Sequence, residues 1–141
     1  MNLPQGTLIA AGPVIIEDGK VLLNREIKPS DGGEESPFFM FPGGRVDDFS
    51  LPLEETARRE AKEEVGVDID IIKPLRTLIV ERPGKDGLAI LVHYLANRIG
   101  DVVPGPDTLE WGWYDIDNLP ENCAPNVFEI IGDVKKNVIS N

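Results

Sequence analysis

The hydrophobic pattern of the chain changes period several times. Residues 7–16 (TLIAAGPVII) form an almost unbroken apolar run, and "KVLLNRE" (20–26) follows it across the polar "EDGK". Apolar, partly β-branched runs separated by Asp-Gly predict two strands and a tight hairpin. "IKPSDGGEESP" (27–37) collects Pro, Gly, Ser and acids and reads as a surface loop. "FFMF" (38–41) then runs into Pro42-Gly43-Gly44, where glycines let backbone approach closely or take positive φ. From 52 to 65 the pattern turns helical, with Leu53, Ala57, Ala61 and Val65 one turn apart. Ser50 is placed to cap this helix, Pro52 fits its first turn and Gly66 its end. "DIDIIKPLRTLIVERP" and "GLAILVHYLANR" predict two strands joined through "RPGKDG". A loop, "GDVVPGPDT", and a short strand, "EWGWYDI", come next. Val127, Ile130, Ile131, Val134 and Val138 predict a last helix over about 125–138 that packs on the sheet. Strands before and after each helix predict an α/β fold, with a mixed, partly antiparallel sheet between helices.

Composition narrows the setting. A chain of 141 residues suits a single domain, 1–141. Such a domain buries roughly 70% of the surface its unfolded chain exposes, so it needs no staples. The lone Cys123 rules out an internal disulfide and suits a reducing compartment. It reads as a small loop residue rather than a nucleophile. "TLIAAGPVII" has no basic flank and is broken by Gly12 and Pro13. It is far short of the roughly 20 residues a membrane span needs, so a cytoplasmic protein is expected. The net charge of -11 repels nucleic acid and anionic membranes, and neither is expected as a partner. A polyanionic ligand would need a local basic patch or bridging cations.

The helix over 52–65 carries the chemistry. With about 100° per residue and Glu60 at zero, the Leu53–Ala57–Ala61–Val65 stripe spans about 20° to 140°. Glu55, Arg58, Arg59 and Lys62 occupy the opposite, solvent-facing arc. Glu60, Glu63 and Glu64 are not there: they flank the packing stripe, and Glu64 overlaps it. Carboxylates at i, i+3 and i+4 repel one another, and partial burial raises that cost. A hard divalent cation, Mg²⁺ or Mn²⁺, relieves it. A solvated, ion-paired charge run is the other explanation that the helix alone allows.

The stretch "REAKEEVGV" (59–67) resembles the end of the Nudix box, G-x5-E-x7-R-E-U-x-E-E-x-G-U, with U a bulky aliphatic. Arg59, Glu60, Glu63, Glu64, Gly66 and Val67 match it, and Ala61 is a small residue at a U position. "FPGGRVD" (41–47) is similar to the loop that precedes that helix, and "LEWGWYDIDNLP" (109–120) resembles a downstream Nudix segment. The box is incomplete. Counted back from Arg59, its first glutamate falls on Leu51 and its glycine on Arg45; with Gly44 as the glycine, the acid falls on Ser50 or Leu51. Asp47 and Asp48 are the nearby acids that would substitute in space.

The resemblance implies a Nudix-type α/β/α sandwich that hydrolyses a diphosphate linkage in a nucleoside diphosphate joined to another group. Water attacks phosphorus with the help of Mg²⁺ or Mn²⁺. It implies Glu60, Glu63 and Glu64 as metal ligands, Glu63 and Glu64 in catalysis, and Arg59 orienting Glu60 or Glu63. Gly43 and Gly44 would let backbone reach metal and phosphates, and Arg25 would lie near substrate. The general base is a box glutamate or a later acid such as Glu110, which reads equally well as an exposed strand residue. Phe39, Phe41, Trp111 and Trp113 read as core before base-stacking residues, His93 as structural, and Arg82 and Lys85 as exposed. The substrate is a small nucleotide. ADP-ribose or a nucleotide sugar comes first, with Pro83, sixteen residues beyond Val67, as a weak pointer to ADP-ribose. A nucleoside triphosphate, including oxidised ones, comes second and a dinucleoside polyphosphate third. A non-catalytic nucleotide-binding module is the reading from another class, motivated by the absent glutamate. A homodimer is compatible with the resemblance.

Overall fold

A computed structural model of the chain describes residues 2–28, 33–82 and 85–140. Pro83 lies outside the described residues, and so does the side chain of Val138. The elements in order are β1 (Leu8–Glu17), β2 (Lys20–Lys28), β3 (Glu34–Glu35), β4 (Gly44–Arg45), α1 (Leu53–Val65), β5 (Asp68–Pro74), β6 (Leu78–Glu81), β7 (Leu88–Ile99), β8 (Thr108–Asp115) and α2 (Pro125–Ser140). Among the described residues no helix is long and apolar enough to cross a membrane.

The sheet is mixed. β1 and β7 run parallel from Leu8↔Ala89 to Ile15↔Ala96. β1 and β2 form the predicted hairpin, and its turn residues Asp18 (φ 51°) and Gly19 (φ 75°) both take the left-handed conformation. Positive φ at both central positions is what a two-residue turn between right-twisted strands requires. β2 then pairs antiparallel with β8. β5 and β6 both pair antiparallel with β7. They come from the segment "DIDIIKPLRTLIVERP", read above as one strand. The break follows a register shift between Ile71 and Lys73 and then Pro74, which has no N–H for the ladder. Leu75 donates its N–H to the His93 carbonyl at 2.9 Å, so the chain stays on the same partner strand.

Each sheet face has a helix. Ala11, Ile15, Leu22, Val67, Ile69, Tyr94 and Ala96 pack with Ala57, Ala61 and Val65 of α1. Val14, Val21, Leu23, Phe39 and Phe41 pack with Val127, Ile130 and Ile131 of α2. The alternation along β1 and β2 therefore sends neighbouring side chains to opposite helices, giving an α/β/α sandwich. Cys123 is buried beside Phe39, and burial pushes its thiol up to about 11, so it behaves as a small apolar side chain.

Two local features place the loop ahead of α1. Ser50 does not cap the helix: its N–H and hydroxyl both donate to Asp48 Oδ1, at 3.0 and 2.5 Å, and Pro52 is the cap residue without a side-chain bond. Asp48 competes successfully because its acceptor lies two residues away. On β1, a Cβ at Gly12 would overlap the Pro42 carbonyl oxygen. The missing side chain lets Pro42–Gly43 lie directly on β1, where β4 pairs at Ala11↔Gly44. Gly12→Ala is expected to cost about 3 kcal/mol or more, read as a lower urea midpoint. A midpoint equal to that of the wild type would show that the loop is free to move off.

Candidate active site

The packing of α1 buries an acid. Val65, Ala61 and Ala57 are fully buried, and Glu64 shares their side of the helix at 6% exposure. Its Oε2 accepts the Gly43 N–H at 2.5 Å. One turn earlier, Glu60 keeps 15% of its side-chain exposure and accepts from Arg59 Nη2 at 3.1 Å. Arg59 Nη1 donates to Asp47 Oδ1 at 2.6 Å, and Nη2 also donates to the Arg45 carbonyl at 3.1 Å. The guanidinium thus ties the 45–47 loop to Glu60. Gly44 lies against that carboxyl: any Cβ there would stand 2.5 Å from Glu60 Cδ. Glu63 is exposed on the same turn as Glu64.

The end of α1 is held by the loop read above as "GDVVPGPDT". Gly66 takes φ 73° and donates to the Lys62 carbonyl. Val103 N–H donates to the Val65 carbonyl at 2.9 Å, and Gly105 N–H and Thr108 Oγ1 both donate to the Glu64 carbonyl, at 2.9 and 2.8 Å. Carbonyls that a helix leaves open at its end are thereby satisfied.

The acids are short of positive charge. Burial, then a hydrogen bond and the charge of Glu26, then Glu60, push the Glu64 carboxyl well above its usual range; the Gly43 N–H pulls the other way. Burial and then Glu63 raise Glu60, against the pull of Arg59. Two hydrogen-bonded carboxyls must share a proton or a cation. Among the described residues no group of three or more His, Cys, Asp or Glu side chains is placed to hold a metal ion. The donor chemistry nonetheless fits a hard cation: carboxylate oxygens in excess, and at Gly44 a cradle without a Cβ. Glu60, Glu63 and Glu64 would hold Mg²⁺ or Mn²⁺, whose remaining positions suit water and phosphate oxygens.

Arg25 and Glu110 stand elsewhere. They are cross-strand partners on β2 and β8, with Nε 3.3 Å from Oε1. Arg25 Nη1 also donates to the Ser36 carbonyl at 3.0 Å. Trp111 and Trp113 pack toward α1, while Tyr114, which the charge of Glu110 helps to raise, packs toward α2. Glu110 therefore shares the α2 face, and the sheet separates it from Glu60 and Glu64. Phe39 and Phe41 are buried on that same face. His93 accepts the Asn126 amide at Nε2 (3.1 Å), its Nδ1 bonds the Arg76 carbonyl (3.0 Å), and burial lowers it, so it is a neutral core residue.

Two residues at the site were not singled out from the sequence. Glu26 reaches Glu64, and Asn24 is 1% exposed with neither side-chain Nδ2 nor Oδ1 bonded to another described residue. The period of β2 held a signal for both, since Leu22, Asn24 and Glu26 alternate onto the face that Leu22 shows to α1.

Comparison with known proteins gives a consistent picture. The NUDIX domain family profile matches residues 7–132. The chain is 26% identical over 107 residues to the oxidized purine nucleoside triphosphate hydrolase of Danio rerio, which covers 76% of this chain and 65% of that protein. A MutT NUDIX hydrolase from Burkholderia pseudomallei superposes with a TM-score of 0.79 at 22% identity, over 92% of this chain and 99% of that one. An Ap4A hydrolase from C. elegans superposes at 0.72 and 22% identity, over 95% and 99%. At these identities the two structures establish a shared fold.

The charge shortage has a pH signature in metal-free protein. A carboxyl raised by folding is protonated in the native state where the unfolded chain, at about 4.3, has already ionised. The native state then binds more protons, so stability falls as pH rises from that point toward the raised native value. Glu64→Gln mimics the protonated carboxyl. In EDTA the variant should match the wild type near pH 4.5 and exceed it increasingly as pH rises through that window. Parallel urea-stability curves for the two proteins would contradict the assignment.

Proposed function

The chain belongs to the NUDIX domain family, and we propose that it is a divalent-metal-dependent pyrophosphohydrolase acting on a nucleoside diphosphate linked to a second group. The observation that carries this reading is the set of α1 acids, one buried and one nearly so, pressed against the Gly43–Gly44 loop. Bound Mg²⁺ or Mn²⁺ would supply charge stabilisation at phosphorus and a more acidic water. The chain's own groups do the positioning. Gly43 N–H holds Glu64, Arg59 holds Glu60, and Glu63 stands open to solvent where it serves as ligand or as general base. A base must reach the attacking water, and the placement of Glu110 across the sheet favours a box glutamate over it. Arg25, on the Glu110 side, is kept for a substrate phosphate or base. The single cysteine, buried and protonated, suits a cytoplasmic setting.

ADP-ribose or a nucleotide sugar remains the first substrate choice. The name of the Danio rerio relative supports oxidised purine nucleoside triphosphates as the second reading.

The test is hydrolysis of ADP-ribose, nucleotide sugars, dinucleoside polyphosphates and nucleoside triphosphates with Mg²⁺ or Mn²⁺. Turnover should require metal, and Glu63→Gln and Glu64→Gln should each lower kcat by about 100-fold or more, the scale of a lost transition-state charge contact. Unchanged turnover in both variants would sink the site assignment. Tight nucleotide binding without turnover on any substrate would identify a binding module instead.

A further inference from the structure

Resting on the reading of α1 as a cation site, we propose that Glu26 of β2 is a fourth carboxylate of that site and replaces the box glutamate missing at Ser50 or Leu51. The loop itself offers no substitute. Asp47 is bound to Arg59 at 2.6 Å, and Asp48 accepts both donors of Ser50. Leu51 is half exposed and has no donor oxygen beyond its backbone. The carboxylate has to come from another element.

The geometry of β2 delivers it. Arg25 pairs with Glu110, but Glu26 pairs with Thr108, so Leu109 is skipped in a bulge at this point. Bulges re-aim side chains, and they gather beside active sites. Here consecutive residues send opposite charges to opposite faces: Arg25 to Glu110, Glu26 to Glu64. The cross-strand partner of Glu26 also fixes the helix, since Thr108 Oγ1 donates to the Glu64 carbonyl at 2.8 Å. Ile27 N–H donates to the Asp107 carbonyl at 2.9 Å and anchors the strand just past the bulge. The bulge, the loop after β7 and the end of α1 thus form one framework that holds Glu26 and Glu64 together.

A like-charged pair in this position is costly to keep. Burial and the neighbouring Glu26 both disfavour the ionised Glu64 carboxyl, against the single N–H of Gly43, and a cation shared by the two carboxyls would relieve that. On the same side of β2, Asn24 buries an amide with no bonding partner among the described residues. Buried amides of this kind are satisfied by ordered water or ligand, as a hydrated cation beside Glu26 would provide.

Mn²⁺ binding, titrated by electron paramagnetic resonance on wild type, Glu26→Gln, Asp48→Asn and Glu60→Gln, tests the assignment without turnover. Glu26→Gln should weaken Mn²⁺ at least about tenfold, as loss of a ligand or its close support does, and Asp48→Asn should leave it within about twofold. Metal-free Glu26→Gln should melt no lower than wild type, because a repulsion is removed. If it melts lower, Glu26→Ala on the same titration decides. Wild-type Mn²⁺ affinity in the Glu26 variant, with Glu60→Gln weakened, overturns the proposal and leaves the pyrophosphohydrolase reading intact. Failure of the wild type itself to bind Mn²⁺ overturns both.

Discussion

Carboxylates crowded at the C-terminal end of a helix are the constraint around which this structure is arranged. Glu63 and Glu64 sit in the last turn of α1, where the helix dipole is already negative and basic side chains are the favoured occupants. Glu60 adds a third charge one turn back, and Glu26 a fourth from the sheet. Among the described residues, the Gly43 N–H answers Glu64 and the Arg59 guanidinium answers Glu60. Those contacts do not balance the acids, because burial and mutual repulsion still raise both Glu60 and Glu64.

The rest of the fold keeps that arrangement rigid. Gly12 removes a side chain so that Pro42–Gly43 can lie on β1, which brings the Gly43 N–H to Glu64. Gly44 does the same for the Glu60 carboxyl. The loop after β7 satisfies the carbonyls at the end of α1, so the helix cannot fray where the acids stand. The long parallel pairing of β1 with β7 gives both loops a common base. Two of these devices are backbone contacts that a glycine permits, and side-chain substitutions elsewhere in the sheet would leave them standing.

What the sequence disclosed follows from how local each feature is. The α1 stripe, the Gly66 stop and the Pro-Gly-Gly turn depend on residues within one or two helical turns, and each was readable from period and spacing. The β1–β2 hairpin was readable because Asp18 and Gly19 carry the turn chemistry themselves. The Ser50 cap was misjudged because Asp48 offers a nearer acceptor. The β5–β6 break turns on how one proline sits in a ladder. The partners of Glu26 and Arg25 were out of reach for a different reason. Arg25 and Glu110 are 85 positions apart, and although the period of β2 puts Glu26 on the α1 face, the bulge that pairs it with Thr108 lies in β8. No pattern within β2 alone shows a bulge that its partner strand creates.

The same register gives the two faces of the site unequal characters. The α1 face holds acids in surplus, while the α2 face offers Arg25, held by a 3.3 Å pair to a half-exposed Glu110. An exposed pair at that distance contributes little, on the order of 1 kcal/mol or less. Arg25 also donates to the Ser36 carbonyl at 3.0 Å, and Arg59 is bound to Asp47, Glu60 and the Arg45 carbonyl, so each guanidinium is tied to its own side of the sheet. In a protein of net charge -11, the two arginines thus neutralise acids on opposite faces of the sheet. Arg59 ties the loop ahead of α1 to Glu60, while Arg25 ties β2 to Glu110 of β8 and to the Ser36 carbonyl.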